Sequence, residues 1–299
     1  METAVANLNE ERTLGLRGKL GAYVELTKPR IAFMLLLTSA AGFYLGSWTP
    51  LNWVLFLNAM IGIALLAFGV ATLNQWMERR TDVLMDRTSS RPIPTGRVTA
   101  NEALVFGLGQ VAASLVYLYV LVNPLTAALA VVVVVGYLLV YTPLKTRTSA
   151  STAIGAVPGA IPPLIGYTAA ANEVTLGAWS LFVILFLWQF PHFLAIAWMY
   201  KEDYAKAGIW MLPVVDKDGS LTARQIVMFA FMLLPASLAP FFFGMAGVVY
   251  LVGATLLGTW FLVESISTAR AKTKERARRL LLVSVIYLPL LFGLMISGY

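Results

Sequence analysis

The sequence predicts an all-α, polytopic membrane protein of about nine transmembrane helices, and three observations carry that expectation. Apolar residues make up 59% of the 299, charged residues only 12%, and mean hydropathy is +0.76, a composition foreign to soluble domains. Stretches of roughly 20 apolar residues, the length that crosses a bilayer as a helix, recur along nearly the whole chain after Lys28. The 22 basic residues fall in five groups, and each group is separated from the next by a pair of such stretches.

In chain order, residues 1–30 carry five basic side chains and four glutamates without an apolar core. They read as a cytoplasmic arm, solvated or interfacial, rather than a cleavable secretory signal. The expected spans are 31–49, 53–77, 101–121, 124–142, 153–171, 176–199, 222–243, 245–266 and 280–298. The fifth should be irregular, because it holds Gly155, Pro158, Gly159, Pro162, Pro163 and Gly166. Irregular backbone at that depth is tolerated where it lines a cavity or is buried in protein. Residues 31–299 read as one transmembrane domain, made of two pseudo-repeated four-helix halves and a final helix. Asp82 and Asp203, about 120 residues apart, each end a helix that points the same way, with four spans per interval.

With nine spans all five basic groups share one side: Arg12 to Arg30, Arg79 to Arg97, Lys145 with Arg147, Lys201 to Arg224, and Arg270 to Arg279. The opposite connections hold no Lys or Arg. The positive-inside rule puts the amino terminus and these loops in the cytoplasm and Tyr299 outside, in a cell (inner) membrane. The net charge of +7 is explained by this topology and by anionic membrane lipid, without nucleic acid. The absence of cysteine excludes disulfides, thiolate metal sites and cysteine nucleophiles, and His192 is the sole imidazole.

Carboxylates gather in two places. Asn74, Glu78, Asp82 and Asp86 recur every fourth residue, so on a helix each stands about 40° round and about 6 Å along from the last. Three like charges on one stripe at a membrane boundary need neutralising cations. Their oxygens suit Mg²⁺, which commonly joins one or two carboxylates to phosphate oxygens. Arg79, Arg80, Arg87, Arg91 and Arg97 stand next to the stripe, and guanidinium forks match phosphate oxygens. Thr99 with Glu102 forms a capping box that starts the third span. A solvated helix end with paired ions would explain the charges, but neither Asn74 inside an apolar run nor the four-residue period.

The second cluster, Lys201-Glu202-Asp203, closes the sixth span on the same face. Alone it reads as a wet loop; paired with the first it could face a diphosphate from the other side. His192 lies within that span, where a lone histidine is either a hydrogen-bonded interior residue or a ligand contact. Tyr141-Thr-Pro-Leu-Lys145-Thr-Arg147 ends the fourth span and could bring Lys145 over the same anion. Trp188, Phe190, Phe193 and Tyr141 are candidates to line an apolar pocket embedded in the membrane beside these groups.

At these residues the chain resembles the UbiA superfamily of intramembrane prenyltransferases, and its haem-modifying branch. The resemblance runs from Leu26-Thr27-Lys28-Pro29-Arg30 to the last helix. Its most specific pieces are Asn74-x-x-x-Glu78-x-x-x-Asp82-x-x-Met85-x-Arg87-Thr88-x-x-Arg91-Pro92, Tyr141-Thr-Pro-Leu-Lys145, Pro162-Pro-Leu-Ile-Gly166, Pro191-His192-Phe193 and Asp203-Tyr204-x-x-x-Gly208. The Met85-x-Arg87-Thr88 and His192 segments and Met211-Leu212-Pro213 point to the haem branch. The resemblance implies that Asn74, Glu78 and Asp82, with Glu202 or Asp203 opposite, carry the reaction by binding Mg²⁺ and through it the diphosphate. It implies that Arg87, Arg91, Lys145 and Lys201 hold phosphate oxygens, and that Tyr141 and His192 contact substrate, His192 through haem iron or a propionate. It also implies farnesyl diphosphate and haem b as substrates, and haem A synthase or terminal oxidase assembly downstream. Glu78 stands where the family commonly has aspartate, and Arg80 where it often has a further one. From the residues alone, a related prenyltransferase acting on an aromatic quinone or chlorophyll precursor, and a membrane transporter or haem-handling protein, stay open.

Overall fold

The computed structural model describes residues 15–47 and 50–297. The first 14 residues of the expected arm and the outward placement of Tyr299 lie outside them. Within them the chain is helical throughout. Helix α1 (Leu16–Leu26) precedes α2 (Pro29–Leu45), α3 (Trp53–Asp82) and α4 (Ala100–Leu121); α5 (Pro124–Val134) follows and runs on through a widened stretch, Val135–Tyr141, into Thr142–Leu144. Then come α6 (Ser151–Ala160), α7 (Pro162–Ala171), α8 (Leu176–Met199), two short turns α9 (Lys201–Lys206) and α10 (Leu212–Val215), and the long helices α11 (Ser220–Phe242), α12 (Val248–Ala271) and α13 (Lys274–Ser297). Counting α5 with its extension and α6 with α7, eight helices are long and apolar enough to cross a membrane, and the 17-residue α2 is a shorter apolar ninth.

The helix limits follow local chemistry. Asn52 and Thr175 cap α3 and α8 by accepting from backbone N–H groups three residues on, and the reciprocal Thr99–Glu102 capping box opens α4 as its sequence implies. Helices α3, α12 and α13 extend past the apolar windows into their charged flanks, because a helix needs no hydrocarbon to continue. The fifth span breaks at Ile161, where consecutive prolines start a new helix. Its central window is 72% buried, the most of the eight, so the irregular backbone is sheltered by protein.

Close helix crossings hold the bundle together, since lipid supplies no hydrophobic drive between helices. A Cβ on Gly166 would collide with the Ser39 carbonyl and one on Gly42 with the Pro163 carbonyl, so α2 and α7 touch backbone to backbone. Ser39 Oγ donates to the Pro162 carbonyl at 2.9 Å across the same crossing. Between α3 and α4, Ser114 Oγ donates to the Gly62 carbonyl at 2.7 Å. One buried apolar cluster joins α3 to α7 through Leu66, Leu118 and Ile165. A larger one joins α8 to α11, α12 and α13 through Ile184, Ile226, Phe261 and Phe292. Outward residues such as Val54, Val105 and Val116 are exposed and apolar, as a lipid-facing rim requires.

Part of the expected arm is a docked helix. Ala22 and Leu26 of α1 bury against Val98 and Ala103, the Tyr23 and Phe106 rings meet edge to face at 4.9 Å, and Gln75 Nε2 donates to the Leu26 carbonyl at 2.8 Å. The arm's apolar residues are few, yet these contacts suffice to seat it on the basic end of the bundle beside α3.

Candidate active site

The candidate site is built around the last two turns of α3. Asn74 is buried and points at two elements: Lys28 Nζ donates to its Oδ1 at 3.2 Å, and its Nδ2 donates to Thr142 Oγ at 3.3 Å. Thr142 Oγ in turn donates to the Tyr137 carbonyl at 2.8 Å. That bond belongs to the widened stretch, in which the Thr142 N–H also reaches back to Tyr137. Pro143 brings no N–H of its own, and such π-type turns recur at functional positions. The turn swings Tyr141 and Thr142 toward α3, and Gly155 of α6 leaves room for the Tyr141 ring.

One turn on, Glu78 Oε1 accepts from Lys145 Nζ at 2.6 Å, and the same ammonium sits 4.4 Å from the centre of the Tyr141 ring. Burial pushes the Lys145 ammonium down, but Glu78 together with Tyr141 and Tyr137 outweighs it and holds the group well above its ordinary range. A further turn on, Asp82 is fully buried, and both its oxygens accept from Arg91 Nη1 at 2.7 Å. Thr88 Oγ donates to the Asp82 carbonyl at 2.8 Å, closing the helix end.

Lys28 is a site residue that sequence reasoning did not single out. It precedes α2 with a left-handed backbone (φ 48°) immediately before a proline, a conformation that costs energy for a non-glycine residue and clusters at functional sites. Burial first, then the neighbouring Arg91, bring its ammonium down to about 7. The signal available was the basic Thr27-Lys28-Pro29-Arg30 boundary at the start of a span.

The second cluster meets the loop that follows α3. Met85, Ala197, Ala207, Ile209 and Met211 form an apolar contact between the α3–α4 and α8–α10 loops. Across it the Arg87 N–H donates to Asp203 Oδ2 at 3.4 Å. The Arg87 guanidinium donates to the Tyr204 hydroxyl at 3.2 Å and lies 5.1 Å from the centre of the Tyr200 ring. The Trp210 N–H donates to the Lys145 carbonyl at 2.8 Å, which ties the third loop to the other two. Gly208 adopts φ 66°, ending α9 so that the Ile209 N–H can reach back to Tyr204.

Asn74, Glu78, Asp82, Arg91, Lys145 and Tyr141 are thus one connected set, and Arg87 and Asp203 lie against each other at its loop side. Other expected members lie elsewhere. Asp86 is off the stripe, because α3 stops at Asp82; it is exposed and pairs with Lys206 at 3.2 Å. Glu202 is exposed and pairs with Lys274 at 3.4 Å. Lys201 lines a separate cleft with Trp198, Asp216 and Lys272, because the turn after α8 carries it away from α3. Among the described residues no three acidic, histidine or cysteine side chains converge tightly enough to hold a metal; each acid of the stripe faces its own cation instead.

His192 faces α13: its Nδ1 shares a hydrogen bond with Ser284 Oγ at 2.8 Å and its ring stacks on Trp188 at 4.5 Å. Trp188 Nε1 donates to the Ser284 carbonyl at 2.8 Å. Phe190 stacks on Phe229 of α11, ring centres 3.6 Å apart. The expected common aromatic lining therefore divides, with Tyr141 at the acidic stripe and Trp188 and Phe190 turned to α13 and α11. Residues 188 and 190 are two apart on one helix and so point to different faces.

The donor chemistry fits Mg²⁺: Asn74, Glu78 and Asp82 offer hard oxygens on successive turns, and this ion needs only one or two protein carboxylates when phosphate and water complete its shell. The acids of the stripe lie against the cations Lys28, Arg91 and Lys145, and Arg87 lies against Asp203 on the neighbouring loop.

Fold and site together define an intramembrane prenyltransferase: the chain belongs to the UbiA prenyltransferase family, whose profile matches residues 35–290. Among solved structures it shares its fold with a digeranylgeranylglyceryl phosphate synthase (TM-score 0.78, 18% identity, covering 94% of this chain and 98% of that one). It also shares it with a UbiA homologue from Archaeoglobus fulgidus bound to GPP and Mg²⁺ (TM-score 0.64, 16% identity, 92% and 99% covered). More particularly, it is 51% identical to the protoheme IX farnesyltransferase of Solibacter usitatus, over 92% of this chain and 97% of that protein. It is 46% identical to the protein of the same name from Salinibacter ruber, over 93% and 98%.

Proposed function

We propose that this chain transfers the farnesyl group of farnesyl diphosphate to a vinyl group of protohaem IX (haem b), giving haem O and diphosphate. The observation that carries the reading is the α3 stripe, three oxygen donors with Lys28, Arg91 and Lys145 against them, in a chain whose relatives over more than nine-tenths of its length bear the name protoheme IX farnesyltransferase. Asn74, Glu78 and Asp82, with Asp203 opposite, would hold Mg²⁺, which when bound neutralises charge building on the leaving diphosphate.

The chain's own groups do the rest. Arg91 and Lys145, now on Asp82 and Glu78, would be free to hold the phosphate oxygens with the acids on the ion, and Lys28 and Arg87 would hold the anion beside them. Thr142 fixes the Asn74 amide. As the bond from the allylic carbon to diphosphate oxygen breaks, the vinyl terminal carbon bonds to that allylic carbon. Water adds its hydroxyl to the other vinyl carbon and releases a proton. The Tyr141 ring screens the allylic cation from bulk water, and His192, its Nδ1 held by Ser284, would contact the haem acceptor. The basic loops and this site face the cytoplasm of an inner membrane, and the product passes toward haem A synthase or terminal oxidase assembly.

The test is to supply the purified protein with farnesyl diphosphate, Mg²⁺ and either haem b or a panel of aromatic quinone precursors. A haem product heavier by one farnesyl and one hydroxyl group supports the reading. A prenylated aromatic with haem unchanged overturns it, and absence of any pyrophosphate release would return the chain to a transport or haem-handling role.

A further inference from the structure

Two arginines on the basic face take no part in the site above. Arg224, one turn into α11, and Arg270, in the last turn of α12, are both exposed and make no hydrogen bond or ion pair with any described residue. They line one groove of about 540 Å³ between these two helices. Its remaining walls are Ala223, Val227, Met228 and Phe231 on α11 and Ile266 and Ala269 on α12. The two alanines leave the groove concave beside the arginines. Met228 and Phe231, 47% and 63% exposed, carry its apolar wall away from the charges and into the hydrocarbon zone.

The positive-inside rule explains the sign of these charges but not their placement on facing helices at the head of one apolar trough. Arg278 supplies the contrast: it is exposed on α13 and is not part of this groove. We propose that this groove is a binding site for an anionic diacyl phospholipid, its phosphate between Arg224 and Arg270 and an acyl chain along Val227, Phe231 and Ile266. Two guanidinium groups match a phosphodiester, and basic pockets between spanning helices on the positive side recognise such headgroups. The lipid would join α11 to α12 at a face remote from the acidic stripe, so its loss leaves that stripe intact.

Native mass spectrometry of the full chain, released from nanodiscs of phosphatidylglycerol and phosphatidylcholine, tests this. The protein should retain phosphatidylglycerol in preference, and Arg224→Ala or Arg270→Ala should each weaken that retention about fivefold, as one interfacial cation is worth. Arg278→Ala should leave it unchanged, Arg224→Lys should restore most of it, and Ala269→Trp should displace the lipid by filling the trough with both arginines kept. Equal losses from Arg278→Ala and Arg270→Ala would reduce the effect to general surface attraction and overturn the site, as would full retention in Ala269→Trp or in the Arg224→Ala, Arg270→Ala double variant.

Discussion

Removing the Glu78 carboxylate with Glu78→Gln strands the Lys145 ammonium, whose side chain is only 15% exposed and whose other close neighbour is the face of Tyr141. Breaking one partner of a buried pair costs about 3 to 5 kcal/mol, and residual water access puts this case near the lower figure. The converse change, Lys145→Met, should cost less, because Lys28 and Arg91 remain within electrostatic reach of Glu78. At roughly 2 °C per kcal/mol for a chain of this size, Glu78→Gln should lower the melting temperature in detergent by about 6 °C and Lys145→Met by about half that. The double variant leaves neither charge stranded, so it should be more stable than the two losses summed by about 1 to 2 kcal/mol. The assay is fluorescence-detected thermal unfolding of all four proteins without Mg²⁺ or substrate. Strict additivity, or a Glu78→Gln protein that melts like wild type, would refute the pairing on which the resting site is built.

Three further outcomes follow from the same geometry. Gly166→Ala forces a methyl group onto the Ser39 carbonyl and should cost about 3 kcal/mol by overpacking, whereas Gly109→Ala, with open space around it, should be neutral or stabilising; comparable melting of the two would contradict the α2–α7 crossing. Lys28, brought down to about 7, binds an anion only when protonated, so its contribution to pyrophosphate affinity is full below that pH. The contribution is lost as pH rises through it, approaching tenfold per unit. Lys28→Arg, which stays charged, should flatten that decline in calorimetric titrations with Mg²⁺, and identical profiles would remove Lys28 from the anion site. Arg87→Lys loses the planar contacts with Tyr200 and Tyr204 and should raise the KM for prenyl diphosphate about tenfold with kcat little changed; a kcat defect at unchanged KM would argue against anion binding by Arg87.

Much of this architecture is legible in the sequence itself. A helix that must bury its backbone in hydrocarbon leaves a run of some 20 apolar residues, so each span is visible in order, and the prolines at 162 and 163 announce the break in the fifth. Asn74, Glu78 and Asp82 were legible because four-residue spacing on one helix needs no tertiary information. Asp86 continued that pattern in sequence but not in space, since Thr88 and Arg91 fold back to close α3 at Asp82. Lys28 was hidden for the opposite reason: it meets Asn74 across 46 residues, and only the packing of α2 against its neighbours creates the contact. The widened turn before Thr142 leaves no periodic trace beyond Pro143. Composition likewise could not show that Trp188, Phe190 and Tyr141 would face different helices, nor that Lys201 would turn from α3.

The measurement closest to the central claim compares wild type with Asp82→Asn in membranes that lack haem O, given farnesyl diphosphate with and without Mg²⁺, the extracted haems being weighed by mass spectrometry. If the α3 stripe holds the diphosphate through the metal, farnesylated haem appears only with wild type and Mg²⁺, and Asp82→Asn falls by at least about a hundredfold while still folding. Farnesylated haem at wild-type levels from Asp82→Asn, or from wild type stripped of divalent metal, would contradict the account.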